Sequence, residues 1–178
     1  MKLPLHKVLI TEEQIKKRIK ELAKKVTDDL ADENPVFLVV LRGAFIFAAD
    51  LLKELNFPYE IAFISASSYA DATEPVKNVS LKPCHDIDIS GRTVVIVEDI
   101  VDTGGTIKAL YEFLKKRNAK RIEVVTLLSK KARRKYNLKI KYVGFEVPNV
   151  FVFGYGLDWK QNFRGIRDIM ALETSDEV

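Results

Sequence analysis

The segment Val94 to Thr106, with the sequence VVIVEDIVDTGGT, constrains the fold of this chain more than any other. Its four apolar β-branched residues predict a strand buried on both faces of a parallel sheet. Glu98 and Asp99 follow where we expect that strand to leave the sheet, and a Thr/Gly-rich loop, Asp102 to Thr106, leads into a helical pattern. Backbone N–H groups at such a helix start bind phosphate, and glycine lets the backbone approach it closely. The segment therefore predicts a phosphate site beside two carboxylates that suit sugar hydroxyls or a divalent cation.

Composition places the chain among soluble globular proteins. It has 178 residues, 47% hydrophobic and 30% charged, which predicts one domain with a substantial core. No apolar run approaches the roughly 20 residues that cross a bilayer, so we expect no membrane partner. Cys84 is the single cysteine, which excludes an internal disulfide and predicts a cytoplasmic protein. The net charge of +4 fits a polyanionic small molecule at least as well as nucleic acid.

Apolar runs alternate with helical patterns along the chain, which predicts an α/β fold with a parallel sheet. The predicted helix over Thr11 to Ala31 begins with a capping box formed by Thr11 and Gln14, and a second helix ends near Leu55. Pro83 favours an edge position for a strand within Val79 to Ile89. The other predicted strands are Val36 to Leu41, Tyr59 to Ser67, Val94 to Glu98, Ile122 to Leu128, Val143 to Pro148 and a short one within Val150 to Tyr155.

Four segments with binding chemistry follow the predicted strands. They are Arg42–Gly43, Ser67 to Tyr69, Glu98 to Thr106 and Ser129–Lys130. Ligands of open parallel sheets bind outside the carboxyl ends of the strands, so we expect these segments to meet at one edge. The polar stretch Tyr69 to Asn78 has no core periodicity and is long enough to be a lid over that edge.

The segment Val94 to Thr106 resembles the phosphoribosyl pyrophosphate signature of type I phosphoribosyltransferases: a hydrophobic strand, two acids, two apolar residues, then Asp-Thr-Gly-any-Thr. Further pieces resemble the 6-oxopurine branch, the hypoxanthine-guanine phosphoribosyltransferases. Leu41–Gly43 resembles the first pyrophosphate loop of that family, where a non-proline cis peptide is usual, and Ser68–Tyr69 resembles a pair in its lid. The other matching pieces are Leu128–Lys130, Phe151–Trp159 and Phe163–Arg164.

The resemblance implies the type I phosphoribosyltransferase fold, a central, mostly parallel sheet of about five strands flanked by helices, with a small hood built from the N- and C-terminal segments. It implies a single domain over residues 1–178, with a core over about 35–148, the hood from about 1–12 and 149–178, and a mobile lid over about 67–80. It also implies a homodimer or homotetramer.

The resemblance further implies a Mg²⁺-dependent transfer of the phosphoribosyl group from phosphoribosyl pyrophosphate to hypoxanthine or guanine, giving IMP or GMP and pyrophosphate. Three groups of residues are implied. Thr103, Gly104, Gly105 and Thr106 hold the 5-phosphate, while Glu98 and Asp99 hold the ribose hydroxyls and Mg²⁺. Arg42, Gly43, Arg164 and the Mg²⁺ ligand Asp158 hold the pyrophosphate under the lid pair Ser68 and Tyr69. Asp102 is the general base or acid at purine N7, Lys130 donates to O6, Phe151 stacks on the base and the Val152 main chain meets its edge.

Other interpretations remain open at this point. Without the resemblance, Phe151 would be assigned to the core, and Asp158 and Arg164 would be assigned to a surface ion pair. A solvated helix face would then be predicted for the basic run, which consists of Lys130, Lys131, Arg133, Arg134 and Lys135. Asp102 and Lys130 argue against adenine as the base, whereas a xanthine-preferring enzyme stays possible. A non-catalytic regulator that binds nucleic acid through the basic run is disfavoured because it could dispense with Asp102 and Arg164. Arg42 departs from the family, which more often has lysine there.

Overall fold

The computed structural model describes residues 5–69, 78–86 and 88–173. Within these residues it contains three α-helices, nine strands and one short 3₁₀ turn, Lys131–Arg133. In chain order, the elements are β1 (His6–Ile10), α1 (Glu12–Leu30), β2 (Val36–Leu41), α2 (Phe45–Lys53), β3 (Glu60–Tyr69), β4 (Asn78–Pro83), β5 (Thr93–Val101), α3 (Gly105–Lys115), β6 (Arg121–Ser129), β7 (Tyr142–Glu146), β8 (Val152–Phe153) and β9 (Ile169–Leu172).

A six-stranded sheet with the order β4-β3-β2-β5-β6-β7 forms the centre of the protein. The five strands from β3 to β7 in this order are parallel, and β4 pairs with β3 antiparallel at the edge. The predicted α/β class is therefore confirmed. Pro83, which has no N–H for a ladder, ends the edge strand as expected.

Apolar side chains on both faces of the sheet hold the helices in place. Phe37 and Val39 of β2 lie in the core shared with α1 and α2, whereas Leu38 and Val40 lie in the core shared with α3. Helix α1 begins at the predicted capping box, in which the Thr11 hydroxyl accepts from the N–H of Gln14 and the Gln14 side chain accepts from the N–H of Thr11. No helix in the described part of the chain is both long and apolar enough to span a membrane.

A second sheet with the order β1-β9-β8 joins the two ends of the chain. Its strands are antiparallel, and the register pairs His6 with Leu172 and Val152 with Ala171. This small sheet is the hood that the resemblance implied. The residue boundaries assigned to core, hood and lid stay predictions, and residues 70–77 of the predicted lid lie outside the described residues.

Several predicted boundaries were wrong. Strand β5 continues to Val101 and does not end at Glu98 as predicted, so Asp99 also lies inside it and the acidic pair does not mark its end. The reason is one-sided pairing: the ladder with β2 ends at Val97, but the ladder with β6 continues to Val101. The strand predicted within Val150–Tyr155 shortens to β8 because the chain turns at positive φ from 154 to 156.

Candidate active site

Three of the predicted binding segments come together at the carboxyl edge of the parallel sheet. Arg42–Gly43 follow β2, Asp102–Thr106 follow β5, and Lys130 follows β6. Because β2, β5 and β6 are adjacent and parallel, these segments share one edge. For Ser68 and Tyr69, only the backbone pairing of β3 with β4 is described.

The loop after β5 lines a small cavity of about 80 Å³ together with Glu98 and the start of α3. Gly104 has a φ of 87° and serves as the N-cap of α3 without a side-chain hydrogen bond. A Cβ at Gly104 would lie 2.6 Å from Leu138 Cδ1, the end of a flexible side chain that can shift, so it is the left-handed conformation that favours glycine here. The N–H of Gly105 donates to Thr103 Oγ1 at 3.5 Å, and the positive dipole of this helix N-terminus favours an anion.

Glu98 and Asp99 form a buried acidic pair on β5, exposed by only 7% and 9%. Burial and the neighbouring negative charge of Asp99 raise the pKa of Glu98 well above its usual value. Burial raises the pKa of Asp99 as well, against the opposing effect of the Arg164 guanidinium. Glu98 Oε2 has no hydrogen-bond partner within the described part of the chain. A hard cation or a hydroxyl group would supply the partner that this oxygen lacks, so the residues fit Mg²⁺.

Gly43 and Gly156 bring the loop after β2 into contact with the acidic pair and the hood. A Cβ at Gly43 would overlap with Asp99 Oδ2, and a Cβ at Gly156 would overlap with the carbonyl oxygen of Gly43. The peptide bond between Leu41 and Arg42 is cis, as the resemblance implied. Backbone thus lies directly against backbone and carboxylate at this corner of the site.

Asp158 and Arg164 form an ion pair beside this corner. Arg164 Nη2 lies 2.7 Å from Asp158 Oδ1, and Arg164 Nη1 donates to the carbonyl oxygen of Gly156 at 2.7 Å. The side chain of Arg164 is exposed by only 20% and that of Asp158 by 27%, so the pair is less exposed than an ordinary surface ion pair. The electrostatic influence of Arg164 on Asp99 links this ion pair to the acidic pair on β5.

Lys130 differs from the rest of its basic run in being buried. It is exposed by 6%, whereas the side chain of Lys131 is exposed by 69% and forms an ion pair with Glu146. Burial lowers the pKa of Lys130, and the charge of Asp102 opposes this effect. Asp102 Oδ1 lies 3.2 Å from Arg133 Nε without hydrogen-bond geometry. The assignment of the whole run to a solvated helix face is therefore wrong for Lys130.

Phe151 is half exposed, which contradicts its assignment to the core. Its carbonyl oxygen accepts from the N–H of Leu172, while the next residue, Val152, is buried in β8. The aromatic ring is thus held by the hood sheet and remains available to contact a flat ligand.

Two residues of the site carried no signal in the sequence. Gly156 lies inside the Phe151–Trp159 motif but has no role assigned by it, and Gln161 lies outside every motif of the sequence. Gln161 Oε1 accepts from Arg42 Nη2 at 2.6 Å, and the N–H of Gln161 donates to Asp158 Oδ2 at 2.8 Å. The contact with Arg42 does not follow from spacing, because it depends on how the hood meets the loop after β2, whereas the contact with Asp158 is local and joins residues three positions apart.

The parallel sheet, the Thr/Gly loop at the start of α3 and the buried acidic pair are the features that the resemblance to phosphoribosyl-transferring proteins implied. The family described as the phosphoribosyl transferase domain matches residues 9–160, and the chain therefore belongs to it. It is 42% identical over 173 residues to the hypoxanthine-guanine phosphoribosyltransferase of Bacillus subtilis, covering 97% of this chain and 96% of that protein. It is 38% identical over 172 residues to the hypoxanthine phosphoribosyltransferase of Salmonella typhimurium, covering 96% and 97%.

Solved structures agree with the sequence relatives. A crystal structure of a hypoxanthine-guanine phosphoribosyltransferase from Bacillus anthracis matches with a TM-score of 0.89 and 39% identity, covering 95% of this chain and 99% of that one. The resemblance to the 6-oxopurine branch and the type I fold are thereby confirmed.

Proposed function

We propose that this chain is a purine salvage enzyme that transfers the 5-phosphoribosyl group from phosphoribosyl pyrophosphate to hypoxanthine or guanine. The products are IMP or GMP and pyrophosphate. The observation that carries the proposal is the buried pair Glu98 and Asp99 next to the phosphate loop, with the buried Lys130 at the end of the neighbouring strand. This arrangement offers an anion site, a hydroxyl or cation site and a hydrogen-bond donor at one sheet edge.

The donor substrate would bind through the phosphate loop and the acidic pair. N–H groups of Thr103 to Thr106 at the start of α3 would hold the 5-phosphate. Glu98 and Asp99 would accept from the ribose hydroxyls, and their negative charge would favour the positive charge that develops on the ribose as the bond to pyrophosphate breaks.

The leaving group would be held by Arg42, the Gly43 backbone and Arg164. Glu98, Asp99 and Asp158 would hold Mg²⁺, and the ion would supply positive charge to offset that of the pyrophosphate. No group of three or more His, Cys, Asp or Glu side chains gathers into a metal cluster within the described residues, so these three carboxylates would hold the ion only together with bound substrate and not as a preformed site. Ser68 and Tyr69 would close over the site as part of the lid.

The purine acceptor would be recognised by a different set of residues. The Lys130 ammonium would donate to purine O6, a contact that the amino group of adenine cannot accept. Asp102 would exchange a proton at N7 as general base or acid. Phe151 would stack on the ring, supported by its exposure, and the Val152 main chain would bind the edge of the base.

We also propose a cytoplasmic homodimer or homotetramer that does not act on nucleic acid. The exposed apolar side chains of Ile61 and Phe63, two residues apart on one face of β3, support an oligomer, because exposed apolar patches are frequently covered by another subunit. Light scattering of the purified protein measures the state directly. A monomer at micromolar concentration would contradict this part of the proposal.

A base-selection assay tests the proposed reaction. The purified chain is incubated with phosphoribosyl pyrophosphate, Mg²⁺ and one of hypoxanthine, guanine, xanthine, adenine or uracil, and nucleotide products are separated by chromatography. We expect IMP and GMP. Turnover of adenine or uracil alone would overturn the 6-oxopurine assignment, faster turnover of xanthine would favour the xanthine alternative, and no turnover would favour the non-catalytic regulator.

A further inference from the structure

A chain of hydrogen bonds connects Arg42, on the loop after β2, with Asp158 in the segment that follows the hood strand β8. Arg42 Nη2 donates to Gln161 Oε1 at 2.6 Å, and the backbone N–H of Gln161 donates to Asp158 Oδ2 at 2.8 Å. The other oxygen of Asp158 accepts from Arg164 at 2.7 Å. Gln161 therefore lies between the cationic groups assigned to the pyrophosphate and makes contact with one of them through its amide.

A tight turn fixes the position of Gln161. Trp159 and Asn162 exchange two backbone hydrogen bonds of 3.0 Å, and the two residues between them, Lys160 and Gln161, have φ of 51° and 65°. Non-glycine residues seldom adopt this left-handed conformation, and asparagine is among those that tolerate it best. The N–H of Gln161 is held by Asp158, so the direction in which its side chain leaves the backbone is set by the turn and not by Arg42.

The amide of Gln161 suits this contact for an electrostatic reason. A carbonyl oxygen can accept from a guanidinium without neutralising its charge, whereas a carboxylate at the same place would form an ion pair and repel a nearby phosphate. A guanidinium carries five N–H donors in a planar fork, so one contact to Gln161 leaves the others free. Arg42 is thereby oriented while its positive charge stays available.

We propose that Gln161 is a positioning residue that directs the Arg42 guanidinium towards the pyrophosphate leaving group. This inference rests on the proposed function and adds a side-chain role for Arg42 to the backbone contacts of its loop. Arginine suits this role because a guanidinium can bind the amide and a phosphate oxygen at the same time.

The test uses Gln161→Asn in the full-length protein. Asparagine tolerates the left-handed conformation and retains the backbone bond to Asp158, but its shorter side chain cannot reach Arg42. In the reverse reaction with IMP and pyrophosphate, we expect KM for pyrophosphate to rise about fivefold while KM for IMP stays unchanged within error. Gln161→Glu preserves reach but adds a negative charge, and we expect KM for pyrophosphate to rise there as well.

Three comparisons make the test specific. Lys160→Gln alters the same turn without touching Arg42 and should leave KM for pyrophosphate near the wild-type value. In an Arg42→Met background, Gln161→Asn should have no further effect. Gln161→Gly, which also tolerates the turn, replaces the asparagine variant if that protein does not fold.

The two proposals fail in different ways. Absence of wild-type turnover in both directions would overturn the proposed function itself. A wild-type enzyme that turns over, combined with an unchanged KM for pyrophosphate in Gln161→Asn, would overturn the role of Gln161 alone. Additive effects of Gln161→Asn and Arg42→Met on that KM would overturn it too.

Discussion

Gly43 lies against Asp99 so closely that a methyl group at position 43 would overlap with the Oδ2 atom of that carboxylate. Gly156 lies against the other side of the same backbone, where its added Cβ would overlap with the carbonyl oxygen of Gly43. The loop after β2 is therefore held between the acidic pair and the hood with no room for a side chain. Three segments that are distant in sequence share this one corner of the site.

Replacing Gly43 by alanine should move the acidic pair or the loop. We expect a loss of about 1–3 kcal/mol in the free energy of unfolding, the usual effect of an added methyl group in a packed site. Displacement of Asp99 should also lower kcat/KM for phosphoribosyl pyrophosphate, by roughly 100-fold. Denaturant unfolding and steady-state kinetics measure the two effects.

Gly165 provides the control for that substitution. A Cβ there meets nothing within 4 Å, and its φ is not in the left-handed region. Gly165→Ala should therefore leave both stability and kinetics close to wild type. Equal losses in Gly43→Ala and Gly165→Ala would show that the contact with Asp99 is not the cause.

The adjacent glycines Gly104 and Gly105 should respond to alanine in opposite directions. Gly105 is the first residue of α3, and an added Cβ would have only Thr103 Oγ1 nearby, at 3.8 Å. Because alanine loses less entropy than glycine in a helix, Gly105→Ala should add about 0.5–1 kcal/mol to the free energy of unfolding. Gly104→Ala should destabilise the protein, since residues with a side chain rarely adopt its φ of 87°.

Thermal unfolding of the two variants tests this contrast. A shift of about 2–4 °C per kcal/mol is expected for a domain of this size. We expect KM for phosphoribosyl pyrophosphate to remain near wild type in Gly105→Ala, because a Cβ at this position makes only an ordinary contact with Thr103 Oγ1. Destabilisation by Gly105→Ala would contradict the described start of α3.

Glu98→Gln should stabilise the protein in the absence of Mg²⁺ and substrate. Burial and the charge of Asp99 raise the pKa of Glu98, so the folded protein binds a proton there that the unfolded chain has released. That contribution to stability is complete below the ordinary carboxyl pKa and is lost as pH rises through the raised pKa. The glutamine variant has no such proton to lose.

The difference in melting temperature between Glu98→Gln and wild type, measured in EDTA, should therefore grow from pH 5 to pH 8. The activity of Glu98→Gln should be lower than that of the wild type, because glutamine lacks the negative charge that we propose interacts with the ribose and Mg²⁺. A difference in melting temperature that is constant with pH would contradict the raised pKa of Glu98.

The order of helices and strands could be predicted from the sequence because local hydrophobic periodicity determines each element. The apolar run from Val94 and the capping box at Thr11 each specify an element without reference to any other part of the chain. The end of β5 could not be predicted in this way, since it depends on which neighbour continues the ladder beyond Val97. Strand boundaries are properties of pairs of strands.

The site shows the same division. Residues carried by a recognisable motif, such as Asp102 and Lys130, could be named from the sequence. The contact between Arg42 and Gln161 could not be predicted from the sequence. The two residues are 119 positions apart, and the sequence pattern of neither loop indicates contact with the other. The burial of Lys130 and the exposure of Lys131 likewise could not be predicted, because they depend on the position of β6 in the sheet.

Lys130→Gln should weaken purine selection. The ammonium is buried at the end of β6, and its loss removes a charge-assisted hydrogen bond to O6. We expect KM for hypoxanthine to rise about tenfold or more, with KM for phosphoribosyl pyrophosphate unchanged. Lys131→Gln, on the adjacent exposed residue, is the matched control and should behave as wild type. A rise in KM for phosphoribosyl pyrophosphate alone would show that Lys130 does not bind the purine.

Asp102→Asn should separate chemistry from binding. The substitution keeps the shape of a side chain that lines the phosphate cavity, but an amide cannot take up the purine proton. We expect kcat to fall by about 100-fold or more, the usual contribution of a general acid or base, while the Kd for phosphoribosyl pyrophosphate measured by calorimetry stays within about twofold. Arg133→Gln removes the cation 3.2 Å from Asp102 and serves as a comparison that keeps the carboxylate. An unchanged kcat in Asp102→Asn would remove Asp102 from the proton transfer, and a large rise in Kd would assign it to the phosphate site instead.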